Sequence, residues 1–178
     1  MAHTLIFSEA LKTAILDGCK TVTRRPIKSA CTRSVIKSDQ WYWETAFKTM
    51  TTLPLPERDC ELVIAANTPV LIKASQAFMI SRCPHGNAGD LIELATRRAD
   101  QSVTPFARAE LKAIAIELLH DITDHAAIAE GMPPDTPREH FRCIWDGFYH
   151  YTPYSWRWNP AVWVLQFAPT EILAEAHR

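Results

Sequence analysis

The 178-residue sequence holds only five glycines and five cysteines, and neither set has the spacing of a cofactor or metal motif. No G-x-G-x-x-G or G-x-x-x-x-G-K-[ST] occurs, which removes the glycine-rich loops that cradle dinucleotides and nucleoside triphosphates. Cys19, Cys31, Cys60, Cys83 and Cys143 are odd in number and contain no C-x-x-C pair, so neither a disulfide framework nor a zinc ribbon is indicated. Cys83-Pro-His85 could supply two metal ligands, but no similarly spaced second pair accompanies it. The nucleophile elbow G-x-S-x-G and the zinc helix H-E-x-x-H are both missing, and the seven histidines lack triad-like spacing. No cofactor and no metal are therefore expected. No apolar run approaches the roughly 18 residues of a membrane span, and the start Met1-Ala-His-Thr-Leu-Ile-Phe7 lacks the basic n-region of a signal peptide. The expectation is a cytoplasmic protein without a membrane partner.

What is present is an ordinary globular composition, 47% apolar and 22% charged, long enough for one well-buried domain spanning 1–178. The net charge of −1 is unevenly spread. Lys12 to Lys37 carries seven basic residues against one acid, whereas Ala109 to the end carries five against ten. A locally basic face on a near-neutral chain fits a small phosphate-bearing ligand or a short nucleic-acid strand better than a long duplex; the two regions could equally pair with each other.

Leu5-Ile-Phe7 reads as a short strand. Ser8 caps a helix with Leu11, Ala14 and Ile15 on one face, and Gly18 ends it. Lys20–Arg25 then favours an extended course, with Pro26 holding Arg25 out of the helical region. Residues 27–82 read as an insertion. In it, Trp41-Tyr-Trp43 suits a hairpin arm, a lid or ordinary packing, Leu62–Ala66 and Pro69–Ala74 suit a hairpin, and Ala77–Ser81 a further strand. Leu91–Leu94 follows the turn at Gly89-Asp90 as a strand. Ala107–Leu119 is a long strand with Ala107, Ala109, Leu111, Ala113 and Ala115 on one face and both faces apolar towards its end. Thr123 caps a helix that Gly131 stops. Thr136-Pro-Arg-Glu139 has the form of a capping box opening a helix with Phe141, Ile144, Trp145 and Phe148 on one face, which makes Trp145 core. Ala161–Phe167 is the closing strand. Short strands without regular βα alternation predict an α+β, mostly β fold: a small barrel flanked by about three helices, with the insertion at about 27–82.

Two places carry candidate chemistry. Gly18-Cys-Lys-Thr-Val-Thr-Arg-Arg-Pro26 gathers a lysine, two threonine hydroxyls and two guanidiniums, which is either a nucleophile, base and anion-reading group or a solvated basic strand. Glu130 stands one residue before the Gly131 stop, where the helix dipole disfavours an acid. A residue that breaks a local preference marks a functional site or a solvated side chain. Together Lys20, Thr23 and Glu130 would form a hydrolytic set of base, nucleophile and proton shuttle, provided that burial lowers the lysine's pKa. On a straight strand positions 20 and 23 face opposite sides, so a bend is required.

In chain order, Gly-x-Lys-Thr-x-Thr-Arg (18–24), Gly89-Asp90, Ile122-Thr-Asp-x-x-Ala-x-x-Glu-Gly (122–131), Phe141-Arg-x-Ile-Trp-Asp146 and Asn159-Pro-x-Val-Trp-Val-x-x-Phe167 resemble the ASCH domain, a branch of the PUA-like barrels. The likeness is to small ASCH-like proteins of phage and prophage genomes, over roughly 5–26 and 83–168. It implies a PUA-like barrel with a cleft for a nucleobase or RNA. In members that hydrolyse N4-acetylcytidine, the matching positions are catalytic, which implies Lys20, Thr23 and Glu130 here. Where such relatives follow Gly-Asp with a Trp-Val-Arg-Glu-like strand, this chain has Leu91-Ile-Glu-Leu-Ala95. The expected activity is that of an amidohydrolase on an N-acylated cytosine nucleoside, with Arg24, Arg25, Trp156 and Trp158 as substrate-binding residues. The alternatives are a non-catalytic reader of modified bases or structured RNA and a metal-independent ribonuclease using the same cleft.

Overall fold

The computed structural model describes residues 3–28, 40–45, 60–63 and 70–173. Five strands form one mixed sheet: β1 (His3–Phe7), β2 (Val22–Pro26), β6 (Leu91–Arg97), β7 (Val103–Leu118) and β8 (Ala161–Ile172), in the order β1-β6-β7-β8-β2. β1 runs parallel to β6, and every other pair is antiparallel. The 16-residue β7 pairs with β6 over Val103–Glu110 and with β8 over Ala107–Leu118, so Ala107–Glu110 is flanked on both edges. Register shifts at Leu94/Ala95, Arg108/Ala109 and Leu111/Ala113 mark bulges, which bend and twist a sheet and favour a barrel-like curl over a flat one.

From the insertion, β3 (Gln40–Thr45), β4 (Cys60–Val63) and β5 (Val70–Ser75) form a separate antiparallel sheet in the order β3-β5-β4. Trp41–Trp43 thus lies in a strand, and Leu62 pairs with Ile72 as an antiparallel hairpin arm would. Residues 64–69, which hold the rest of the first expected arm, the link between the arms and Pro69, lie outside the described residues. Ala77–Ser81 is not a strand: Gln76–Ile80 is a short helix, α2, whose Met79 is buried in the main core. A five-residue apolar run fits either period, and packing decides between them.

Helices α1 (Glu9–Leu16), α3 (Asp124–Ala129) and α4 (Pro137–Tyr149) complete the fold. Ser8 accepts from Leu11 N at 3.4 Å and Thr123 from Ala126 N at 3.1 Å, so both predicted N-caps form. Both predicted glycine stops also form, with matching hydrogen bonds. Gly18 N bonds Ile15 O and Cys19 N bonds Ala14 O; Gly131 N bonds Ile128 O and Met132 N bonds Ala127 O. Each pair is a Schellman closure around a left-handed glycine, at φ 72° and 88°. The capping box of α4 does not form. Thr136 adopts a left-handed conformation (φ 50°, ψ 50°) that turns its hydroxyl away from the cap, leaving Pro137 to open the helix.

The sheet has an apolar layer on each side. Leu5, Phe7, Ile92, Leu94, Phe106, Leu111, Trp163, Leu165 and Phe167 form the main core with Ile15 of α1. Leu119, Ile122, Ala127, Met132, Phe141, Trp145 and Val162 form a second core between β8 and helices α3 and α4. β8 is therefore apolar on both faces where it is most central. On β7, Ala107, Ala109 and Leu111 face inwards as expected, but Ala113 is exposed and Ile116 is buried. The bulge between Leu111 and Ala113 inverts the alternation, because side chains swap faces when the register slips by one residue.

Gly131 is a test of this junction. A Cβ there would stand 3.1 Å from Ala14 Cβ and 3.2 Å from Lys20 Cβ. Gly131→Ala should lower stability by about 1–2 kcal/mol from the left-handed backbone alone, and more through the contact. Gly147→Ala, inside α4 with open space around it, should be neutral or stabilising by up to ~1 kcal/mol. Thermal unfolding of the two variants measures the contrast, and equal midpoints would refute it.

Candidate functional site

Two helix ends meet at the site. The chain leaving α1 through Gly18 places Lys20 in an isolated antiparallel bridge with Glu130, the C-cap of α3. Thr21 N bonds Ala129 O at 2.9 Å, while Thr21 O receives Phe167 N at 2.9 Å. The segment thus changes partner at Thr21, from the end of α3 to the ladder of β8. Lys20 and Thr23, on either side of that change, both line one cavity.

The cavity has a volume of about 340 Å³, near the lower end of the ~300–1,000 Å³ common for small-molecule sites. Lys20, Thr23, Arg24, Arg25 and Glu130 form its polar wall. Phe7 and Leu11 line one apolar side, and Phe141, Ile144, Phe148 and Tyr149 of α4 the other. The apolar face of α4 is thereby divided. All four of its residues Phe141, Ile144, Trp145 and Phe148 border the cavity, but Phe141 and Trp145 are buried, whereas Ile144 and Phe148 are 40% and 61% exposed.

Lys20 and Glu130 are 1% and 3% exposed. Lys20 Nζ donates to Glu130 Oε2 at 2.5 Å, to Val22 O at 2.8 Å and to Glu130 O at 2.9 Å. The last bond places a cation on the C-terminal carbonyls of α3, where the helix dipole favours one. The other Glu130 oxygen, Oε1, accepts from Arg24 Nη1 at 3.1 Å, and Arg24 Nε donates to Glu117 Oε1 at 2.5 Å. The acid that the helix end disfavours is thus held by two buried cations. Arg25 Nη2 donates to Ile6 O at 2.7 Å and the guanidinium lies 5.1 Å from the Phe7 ring centre. The Thr23 hydroxyl, by contrast, has no hydrogen-bond partner among the described residues.

Burial lowers the Lys20 pKa from its ordinary 10.5; Glu130 opposes the shift, and Arg25 and Arg24 add to it. Between the lowered value and 10.5 the folded chain binds fewer protons at this group than the unfolded chain does. The Lys20 contribution to stability therefore rises with pH across that window. Near the other end of β6, burial raises the Cys83 thiol pKa, and His85 is pushed down to about 4 by burial, then by Arg25, His3 and Lys28.

Lys20, Thr23, Arg24, Arg25 and Glu130 are thus brought together, but Trp156 and Trp158 are not. Trp156 packs on the second core, its ring 4.6 Å from that of His120 and 6.3 Å from that of Phe141. Trp158 is 54% exposed and stacks with Arg157 at 4.4 Å. Neither lines the cavity, because the turn Trp156–Trp158 is pinned to α4 by Asp146 and to the 3-10 turn Leu119–Asp121 by His120. The aromatic wall comes from Phe141, Phe148 and Tyr149 instead. Glu117 and Arg97 were also not anticipated. Glu117 is the one acid in the apolar end of β7, a signal available in the sequence; Arg97, which borders the cavity from the end of β6, gave none.

No protein-family model and no curated protein matches the chain. Among solved structures, the crystal structure of protein EF3133 from Enterococcus faecalis V583, of the DUF984 family, is similar at 12% identity and a TM-score of 0.50. The match covers 100% of this chain and 86% of that one, and at this identity it speaks for the fold alone: an α+β, mostly β, barrel-like domain. No helix among the described residues is long and apolar enough to cross a membrane.

Removing the carboxylate would leave two buried cations without their shared partner. Glu130→Ala should cost about 3–5 kcal/mol, and Lys20→Met should cost much less in that background than alone. Urea denaturation of the four-protein cycle reads this coupling, and additive losses would show that the pair is not a unit.

Proposed function

We propose that the protein is an amidohydrolase of ASCH type, removing an acyl group from N4 of a cytosine nucleoside. The observation that carries this reading is a desolvated lysine amine in contact with a carboxylate, in a cavity wall that also holds a threonine hydroxyl without a partner. The five-stranded sheet with its bulges, and the order of the sequence motifs, support a PUA-like barrel as the frame.

The chemistry starts from the Lys20–Glu130 contact. Passing one proton from Nζ to Oε2 produces a neutral amine and a carboxylic acid, which is the less costly state for a pair removed from water. The neutral Nζ then leaves Val22 O and swings on the lysine stem to Thr23 Oγ1, which it does not bond in the resting network. Thr23 Oγ1 then loses its proton to Lys20 and forms a bond to the acyl carbon. Arg24, fixed between Glu117 and Glu130 through Nε and Nη1, keeps its Nη2 donors for the oxyanion. As the C–N4 bond breaks, Glu130 gives its proton to N4 and the free cytosine amine leaves. Water hydrolyses the acyl-threonine ester, releasing the carboxylic acid and restoring Thr23.

A second reading has its own observation. All three protons of the Lys20 ammonium are already committed, to Val22 O, Glu130 O and Glu130 Oε2. A closed network of that kind suits a non-catalytic reader of modified bases or RNA, with Phe148 and Tyr149 supplying stacking surfaces. A metal-independent ribonuclease would use the same cleft.

Incubation with N4-acetylcytidine separates these readings. The hydrolase releases cytidine and acetate, and Lys20→Ala or Thr23→Ala lowers kcat/KM by about 10²-fold or more. The rate is level at lower pH and falls as pH rises through an apparent pKa below 10.5, where the pair loses the proton that Glu130 gives to N4, and Lys20→Arg, which stays protonated, is inactive. No release, or full release by Lys20→Ala, sinks the hydrolase. Binding that survives Thr23→Ala without any product would favour the reader, and cleavage of single-stranded RNA without added metal the ribonuclease.

A further inference from the structure

The cavity's charges do not balance. Lys20 and Arg24 are matched by Glu130 and Glu117, through contacts of 2.5–3.1 Å. Arg25 and Arg97 also line the cavity, and neither has a carboxylate partner among the described residues. Arg25 spends one N–H on Ile6 O, and Arg97 makes a single neutral contact, Nη1 to Gln101 Oε1 at 3.3 Å. A guanidinium has five N–H donors, so most of these remain available.

The topology brings the two together although they stand on different strands. Arg25 reaches from β2 across to β1, bonding Ile6 O and covering the Phe7 ring. β1 is paired in parallel with β6, Ile6 with Ala95 and Phe7 with Thr96, so Arg97 follows directly on the residue opposite Phe7. Both residues therefore line the cavity along with Phe7, Arg25 half-buried and Arg97 exposed. A neutral nucleoside would leave both charges without a counter-charge in a partly desolvated wall.

We propose that Arg25 and Arg97 form an anion site that holds a phosphate group of the ligand, so that the substrate is a phosphate-bearing cytosine nucleotide and not the free nucleoside. This deepens the hydrolase reading and rests on it for the identity of the base; the anion site itself rests on the two guanidiniums. The Gln101 contact is the weaker kind that a charge-assisted bond to phosphate displaces. The same positive field is felt at His85, where Arg25 is the first of the charged neighbours, after burial, that disfavour a further proton.

The test compares binding of cytidine and cytidine 5′-monophosphate by calorimetry, with the wild-type chain, Arg97→Ala and Arg97→Glu. Arg97 is chosen because it is exposed and its loss leaves the core intact. The monophosphate should bind at least about tenfold tighter than cytidine at ~50 mM salt, and the advantage should shrink at ~500 mM. Arg97→Ala should remove most of the preference and Arg97→Glu should reverse it, with cytidine affinity changing by less than about threefold. Competition then identifies the source of the phosphate: a short cytidine-containing RNA outcompeting the monophosphate assigns a phosphodiester, and the converse a terminal phosphate. Equal affinity for cytidine and the monophosphate, no binding of either, or a preference untouched by Arg97→Glu overturns the anion site. Because the readout is binding, failure to hydrolyse N4-acetylcytidine sinks the chemistry alone, and equal binding with intact turnover sinks the anion site alone.

Discussion

The contact between Lys20 and Glu130 is the constraint on which the rest of this region depends. It joins two residues 110 positions apart at the ends of two helices, with each side chain taken almost completely out of water. Such a pair is favourable only if its remaining donors and acceptors are met, because desolvation of two charges can exceed their attraction. Here they are met. The amine has two backbone carbonyls besides the carboxylate, and the second carboxylate oxygen has Arg24. Each of those partners must then be positioned too, which explains the paired Schellman turns, the bridge between Lys20 and Glu130, and Glu117 holding Arg24 from β7. The left-handed Gly131 belongs to the same requirement. Ala14 and Lys20 pack where its side chain would be, so the loop can approach only without one.

Those constraints also account for how the apolar residues are distributed. β8 separates two cores, and α4 closes the second by turning Phe141 and Trp145 inwards. Its remaining apolar residues, Ile144 and Phe148, are left at the cavity instead of at bulk surface. One amphipathic helix thereby supplies both packing and a ligand wall, with Phe141 and Trp145 common to the two. The Arg24 guanidinium, 5.9 Å from the Phe141 ring centre, ties the polar wall to the aromatic one.

Features set by local hydrogen bonds were legible in the sequence. Ser8, Gly18, Thr123 and Gly131 were read correctly as caps and stops because each acts on backbone groups three to five residues away. Thr136 does not cap because its backbone is left-handed, a conformation that its capping-box sequence gives no sign of, and its hydroxyl makes no bond to the helix. The inversion along β7 was hidden because a bulge has no composition signal in an alanine- and isoleucine-rich strand. Lys20, Thr23 and Glu130 were legible as residue types out of place, but their meeting was not, since it joins segments 110 positions apart. Trp156 and Trp158 show the limit of arguing from aromatic content. The side of α4 on which a tryptophan packs is decided by anchors such as Asp146, ten residues away.

The sorting of the four cavity cations is informative because it follows burial. Lys20 and Arg24, both within 5% of complete burial, have carboxylate partners, whereas the half-buried Arg25 and the exposed Arg97 have none. Physical chemistry requires the first half of that pattern, as an unpaired charge at full burial would cost several kcal/mol. It does not require the second. Two guanidiniums lining one cavity repel each other, and a fold indifferent to ligands would relieve that by placing one acid nearby. Arg25 instead rests on a backbone carbonyl and an aromatic face, and Arg97 on a neutral amide, partners that hold a guanidinium in position without neutralising it. The inner pair is thus electrically closed and suited to exchanging a proton internally, while the outer pair is oriented and left open to a counter-ion from solution.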